Sequence, residues 1–296
     1  MLRHKRDLQT VAYMAITTAL LVVQWRREEW SPWLWAMALW MGLTVAVMAH
    51  NHNHVRTWTH AGLNRLHDWW LTVFYGFPVF AWIPTHNKNH HRYNNRPGDV
   101  TIWYRYSERN NAATLLTYPA ISSWFQQRPI VQYLRHLKLT NPRELTWCLA
   151  QYLLLVTWIC VALLLDWRKA LLYVVAPQQF ALFAVLALNY IQHVHADEES
   201  RWNHSRNFVG PVANFLLLNN GYHTVHHEWP GLHWSRVASK HREIEHLVDP
   251  GLNEPNFVWA LFRIYVLGTL IPSVRTRNLR RERLARSTPP GRGDRE

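Results

Sequence analysis

The sequence is poor in several residue types, and each shortage excludes a class. Two cysteines rule out a disulfide-stapled secreted scaffold. Acidic residues are scarce: 19 against 32 basic ones leave a net charge of +13, and only five of the bases are lysine. No helical HExxH zinc motif occurs, because His227-Glu228 runs straight into Trp229-Pro230. The paired Glu-x-x-His repeats of soluble carboxylate-bridged metal sites are also missing, the lone instance being Glu243–His246. No internal repeat is evident. Disorder is excluded for the chain as a whole by 49% hydrophobic and 14% aromatic residues.

What is abundant is histidine (19) and tryptophan (18), in a chain of 296 residues that is long enough to bury a core. The mean hydropathy of −0.23 resembles that of a soluble protein, but it averages a divided chain. Four uncharged segments, about 9–25, 30–50, 145–165 and 170–193, meet or approach the roughly 20 apolar residues that cross a ~30 Å hydrocarbon layer. Arg26–Glu29 joins the first pair and Asp166–Lys169 the second, so two antiparallel helical hairpins are expected. Trp25, Trp30, Trp33, Trp35 and Trp167 fall at their tips, as interfacial aromatic belts do. The fold class expected is therefore an all-α integral membrane protein with four transmembrane helices.

Charge placement supplies the sidedness. Of the 32 bases, 28 lie in the N-terminal tail, in 51–144 or after 193, which makes those regions and both termini cytoplasmic. No small-residue cleavage site follows the first apolar run, so it reads as a retained helix and not a signal peptide. Trp69–Pro84, Asn111–Phe125 and Phe257–Pro272 are apolar but short, and are expected to lie along the membrane face. Residues 1–272 thus form one domain, with a helical cap from 51–144 and 194–272. The Arg-rich 273–296 is expected to be a disordered tail. Bases that flank membrane spans point to anionic lipid or an acidic protein, not to nucleic acid.

The histidines form spaced clusters. His50 and His54 close the second span; His86, His90 and His91 follow in HNKNHH; His223, His226 and His227 follow in HTVHH. His193 ends the fourth span, four residues after Asn189. Helical residues four apart share a face, so His50 with His54, His86 with His90 and Asn189 with His193 are each expected to address one centre. Adjacent pairs such as His90–His91 and His226–His227 diverge by about 100°, which suits two metal ions better than one. All nine histidines fall on the cytoplasmic side, and nine imidazoles exceed the three or four protein ligands of a zinc site. Two near-octahedral ions fit the count, and imidazole suits iron, zinc or copper. His52 falls on the opposite helix face. His4, His67, His136, His204, His241 and His246 lack partner spacing. His60, His195 and His233 lie near the clusters and are left out.

This pattern resembles the membrane-bound histidine-box di-iron family of fatty acid desaturases and hydroxylases. The resemblance rests on HNHNH (50–54), HNKNHH (86–91), NYIQH (189–193) and HTVHH (223–227), and covers about residues 9–250. NNRPGD (94–99), SRN (205–207), LNNGYH (218–223) and HHEWPGLHW (226–234) are similar to stretches in relatives. It implies a mushroom-shaped helical fold and two irons held by the nine histidines, with Asn189 reaching iron through water. Asp99, Asn94 and Asn95 are candidates for orienting the ligand imidazoles, with a plain turn as the competing reading. O2 is the implied co-substrate, and the implied reaction is attack on an unactivated C–H bond of a fatty acyl chain carried as a lipid, a CoA ester or an acyl-carrier thioester. Desaturation is the first expectation; hydroxylation or oxidative decarboxylation to a terminal alkene is the alternative. No fused cytochrome b5-type HPGG motif is present, so electrons are expected from a ferredoxin, rubredoxin or cytochrome b5 donor. A bacterial inner membrane is expected over the endoplasmic reticulum. A metal transporter or haem protein would carry polar ligands at mid-membrane depth, where only Gln178 and Gln179 come close.

Overall fold

The computed structural model describes residues 1–287, and these are almost entirely helical. Three helices are long and apolar enough to cross a membrane: Lys5–Arg26, Pro32–His54 and Pro142–His193. The first contains α1 (Leu8–Arg26) and the second is α2 (Pro32–His54). Ser31 caps α2 through its hydroxyl, and Pro32 occupies the first turn, where its missing N–H costs nothing. α3 (Ala61–Tyr75) ends on Gly76, whose φ of 80° is open to glycine.

The third apolar helix breaks internally. Asp166 in α6 (Pro142–Ala170) is extended, at φ −161° and ψ 101°. Its carboxylate accepts from the backbone N–H groups of Arg168 and Lys169, as an N-cap does, and a helix restarts there. The restarted helix passes through one π-turn, Leu171–Val175, into α7 (Ala176–His193). The break falls in the segment expected to join two spans. Lys169 donates to the carbonyl of Trp25, and the Trp35 indole donates to the carbonyl of Leu172, so the two expected tips touch.

α2 is central, packed against α1, α3 and α7. Its Val45–Ala49 stretch is inaccessible and forms the main core with Leu71, Tyr75, Ala181 and Val185. Gly42 lets α2 approach α7 closely: a Cβ there would lie 2.8 Å from the carbonyl oxygen of Pro177. The outer face of α6 instead exposes Leu153, Val156, Leu164 and Leu165. An apolar surface of that kind is normal against lipid and unusual against water.

The cap elements differ in extent from expectation. In place of a helix over Trp69–Pro84, α3 ends at Tyr75 and a short 3₁₀ turn, Val79–Ala81, leads to a π-helix, Ile83–His90, that runs into α4 (His91–Tyr93). α5 spans Ala112–Thr140, well past the expected Phe125, although it contains Pro119 and Pro129. Asn111 and Thr114 form a capping box at its start, and beyond Pro129 its buried Ile130 and Leu137 pack on Phe80, Ala81 and Cys148. That burial offsets the hydrogen bonds the prolines remove. α8 (Pro211–Leu216), α9 (His223–Glu228) and α10 (Val237–Ile244) follow. β1 (Asn207–Phe208) pairs in parallel with β2 (Asn253–Glu254). α11 (Phe257–Phe262) continues through a π-turn into α12 (Gly268–Leu270).

The segment expected to be a disordered tail is ordered as far as it is described. α13 (Leu279–Ser287) is held by charge: Arg283 pairs with Asp197 and Glu198, and Arg280 with Glu198 and Glu108. Composition alone could not reveal these acidic partners, which lie 82 or more residues away in sequence. The expectation for 288–296 lies outside the described residues.

Candidate metal centre

Nine imidazoles converge where α2, the Ile83–His90 π-helix, α4, α7 and α9 meet. They form two groups: His50, His54, His86, His91 and His226, and His90, His193, His223 and His227. In each group the potential ligand atoms all lie within 4.8 Å of one another. These are the nine histidines singled out in the sequence, and His60, His195 and His233 belong to neither group. His233 instead reaches Asp7, and His195 reaches Thr276 and the Glu108 carbonyl.

Local backbone geometry decides which histidine joins which group. His50 and His54 share a centre, as α-helical spacing requires. His86 and His90 do not. Ile83–His90 is π-helical, and the His91 N–H bonds the carbonyl of His86, five residues back. This wider turn brings His86 and His91 together, with Nε2 atoms 3.0 Å apart. His90 points instead to His193, again 3.0 Å between Nε2 atoms. In α9 the adjacent His226 and His227 diverge into separate groups, as expected of splayed neighbours.

The outer faces of several rings are fixed by hydrogen bonds. His90 Nδ1–H donates to Asp99 Oδ2 at 2.8 Å, and His193 Nδ1–H donates to the carbonyl of His204 at 3.1 Å. His50 Nδ1–H donates to the Asn51 side chain at 3.2 Å. A neutral imidazole that donates from Nδ1 carries a lone pair on Nε2. His50 Nε2 lies 3.0 Å from that of His86 and 2.9 Å from that of His226, and His193 Nε2 lies 3.0 Å and 2.9 Å from those of His90 and His223. Facing lone pairs repel unless a cation sits between them. Adjacent ligands on one ion, each bonded at about 2.1 Å, would be about 3.0 Å apart. The donor set and its spacing therefore fit two metal ions.

Burial reinforces this. The imidazoles of His86, His91, His223, His226 and His227 are held well below their ordinary pKa of 6.5, first by burial and then by the neighbouring imidazoles of the two groups. They are neutral, which is the metal-binding form. Burial alone would raise the Asp99 carboxyl, but His90 and the Thr101 N–H and hydroxyl outweigh it and hold Asp99 at about 2. A permanently ionised Asp99 keeps the Nδ1–H tautomer of His90.

Of the candidates for orienting imidazoles, Asp99 does so and Asn94 and Asn95 do not. Both asparagines sit in the left-handed region, at φ 44° and 62°, and shape the turn that follows α4. The Asn94 backbone N–H donates to the His90 carbonyl, and Asn95 accepts from the Trp103 N–H. Short polar side chains tolerate this conformation, which explains the pair. Thr101 was not legible as a site residue. Its hydroxyl donates to Asp99 and lies 2.9 Å from His90 Nδ1. The His204 carbonyl was equally hidden, because any residue type could supply it. Asn189 makes no hydrogen bond to an imidazole among the described residues; its amide donates to the Tyr118 hydroxyl at 3.0 Å.

A cavity of about 220 Å³ opens from the imidazoles and is lined by His50, His86, His90, His223 and Asn189 on one side. Val185, Leu186, Leu188 and Ile130 add apolar lining.

One family model, described as fatty acid desaturase, matches residues 28–282. No curated protein and no solved structure matches the chain.

Proposed function

The chain belongs to the fatty acid desaturase family, and from that premise we propose that it is an O2-dependent di-iron oxidoreductase that desaturates a fatty acyl or similar lipid chain. The observation that carries this reading is the convergence of nine imidazoles, with Nε2 atoms about one cis-ligand spacing apart, at the mouth of an apolar cavity. One iron would be held by His50, His54, His86, His91 and His226. The other would be held by His90, His193, His223 and His227, with Asn189 acting through water. Iron with O2 supplies the removal of hydrogen from an unactivated C–H bond, which no side chain performs.

The protein's own part is positioning and exclusion. Asp99, the His204 carbonyl and Asn51 fix ring orientation. Val185, Leu186, Leu188 and Ile130 seat an alkyl chain beside the imidazoles, and the seated chain excludes water. Electrons come from a separate donor of the ferredoxin, rubredoxin or cytochrome b5 type. The basic face favours such an acidic partner and anionic membrane lipid.

The same reading makes the protein multi-pass. A stretch of 52 residues is about 78 Å of helix, more than twice the hydrocarbon thickness, and the extended Asp166 divides it near its middle. Four spans in two hairpins follow, with both termini and the helical cap cytoplasmic, in a bacterial inner membrane. The test is metal analysis together with lipid profiling of cells with and without the protein. About two irons per chain and a new double bond are expected. One zinc and no iron, or an unchanged lipid profile, would overturn the proposal.

A further inference from the structure

Tyr75, the last residue of α3, lines the cavity and is 7% exposed. Its hydroxyl has no hydrogen-bond partner among the described residues; its one ring contact is with Trp82, at 6.0 Å between centroids. Trp82 in turn lies 5.3 Å from the ring of His50. An unpaired phenol therefore sits one aromatic ring away from the candidate metal centre. The hydroxyl is not sealed in by protein atoms and so opens into the cavity that the residue lines, where phenylalanine would offer only an apolar wall.

The charge of the lining points the same way. Among the described residues, no Lys, Arg, Asp or Glu lines the cavity. The lining also includes Ser123 and Gln127, which are exposed and uncharged. Away from the imidazoles and the ions they would hold, a carboxylate or phosphate would meet no counter-charge from the lining, and burying an unpaired charge is costly. Water can serve the Tyr75 hydroxyl while the cavity is free of lipid. A plain hydrocarbon would displace that water without replacing its hydrogen bond, whereas an oxygen atom on the chain would replace it.

We propose that the cavity selects an uncharged lipid bearing an oxygen function (a hydroxyl, a carbonyl or an ester), and that Tyr75 is the residue that recognises that oxygen. This rests on the lipid-oxidising reading above and specifies its substrate class. Tyr75 acts by positioning: a hydrogen bond at that point fixes how far along the chain the carbons nearest the imidazoles lie.

The test measures retention of radiolabelled hexadecane, hexadecan-1-ol, methyl hexadecanoate and hexadecanoate by the immobilised, iron-loaded full chain in detergent. The wild type is expected to hold the alcohol or the ester roughly tenfold more tightly than hexadecane, the worth of one buried hydrogen bond. Tyr75→Phe should bring that ratio close to one, with hexadecane retention and iron content unchanged, a pattern that a merely structural role would not produce. Parity of the oxygenated and plain probes in the wild type, strongest retention of hexadecanoate, or an unchanged ratio in Tyr75→Phe would overturn the inference and leave the lipid reading intact. Retention of none of the four would overturn the lipid reading itself.

Discussion

Asp99 Oδ2 lies 2.8 Å from His90 Nδ1, and both side chains are almost wholly withdrawn from solvent. The same carboxylate also accepts from the backbone N–H groups of Asn95 and Thr101, so it is held from three sides while it holds the imidazole. Replacing Asp99 with Ala frees the His90 ring to rotate and to place its proton on Nε2. Loss of such a partner typically weakens metal affinity by about 10–100-fold. Asp99→Ala should therefore lose metal selectively from the group of His90, His193, His223 and His227, read as iron content after dialysis against graded chelator. Full iron retention would show that Asp99 serves only the turn.

The π-turn makes a second prediction. His86 and His91 face one centre, and His90 faces the other. His86→Ala and His91→Ala should each empty the same ion position, and combining them should cost little beyond either alone. His90→Ala should empty the second position, and adding it to His91→Ala should remove both. Counting iron per chain in the single and double variants checks this. Coupling of His86 with His90, and independence of His91, would instead indicate an α-helical arrangement.

That partition was invisible in the sequence for a definite reason. Candidate ligands are picked out by residue type and clustering, both of which the sequence displays directly. Assignment to a centre depends on helical period, and nothing in IPTHNKNH announces a switch from the α to the π period over Ile83–His90. The break between the third and fourth apolar segments was legible, because Asp166 and its neighbours interrupt the apolar run. The order of the C-terminal arginines was not, because their partners Glu108, Asp197 and Glu198 are distant in sequence. Tyr75 and Thr101 were hidden likewise: an aromatic residue at a helix end and a threonine in a loop acquire their roles only from what the fold places opposite them.

Acidification gives a third prediction. The cap imidazoles His86, His91, His223, His226 and His227 have pKa values pushed well below 6.5. In the unfolded chain they titrate near the ordinary value of about 6.5. Above that pH both states are neutral, and the native advantage is complete. As pH falls below it the unfolded chain takes up protons that the folded chain refuses, so stability declines with decreasing pH. Protons also compete for the ligand lone pairs, so metal loss and destabilisation should coincide. Iron content and melting temperature, followed from about pH 7.5 to 5, should be flat at first and fall together below about 6.5. Iron loss that begins well above 6.5 would contradict the burial of these rings.

The docked α13 gives the last. Glu198 is 5% exposed and is held by both Arg280 and Arg283, at 3.0 and 2.8 Å. Glu198 lies five residues after His193, in the loop that also brings the His204 carbonyl to the His193 ring. An exposed ion pair contributes about 0–1 kcal/mol, but a buried carboxylate stripped of its partners costs roughly 1–3 kcal/mol. Burial raises the pKa of Glu198 even though a backbone hydrogen bond and the two arginines oppose the rise, so losing the arginines removes part of what supports its charge. The double substitution Arg280→Ala/Arg283→Ala should therefore lower the melting temperature by a few degrees and loosen the carbonyl that steadies His193. Arg277→Ala removes pairs whose members are more exposed and should leave melting within error. Thermal unfolding of the three proteins in one detergent separates these outcomes. If the double variant melts with the wild type, α13 lies against the loop that carries Asp197 and Glu198 without supporting it.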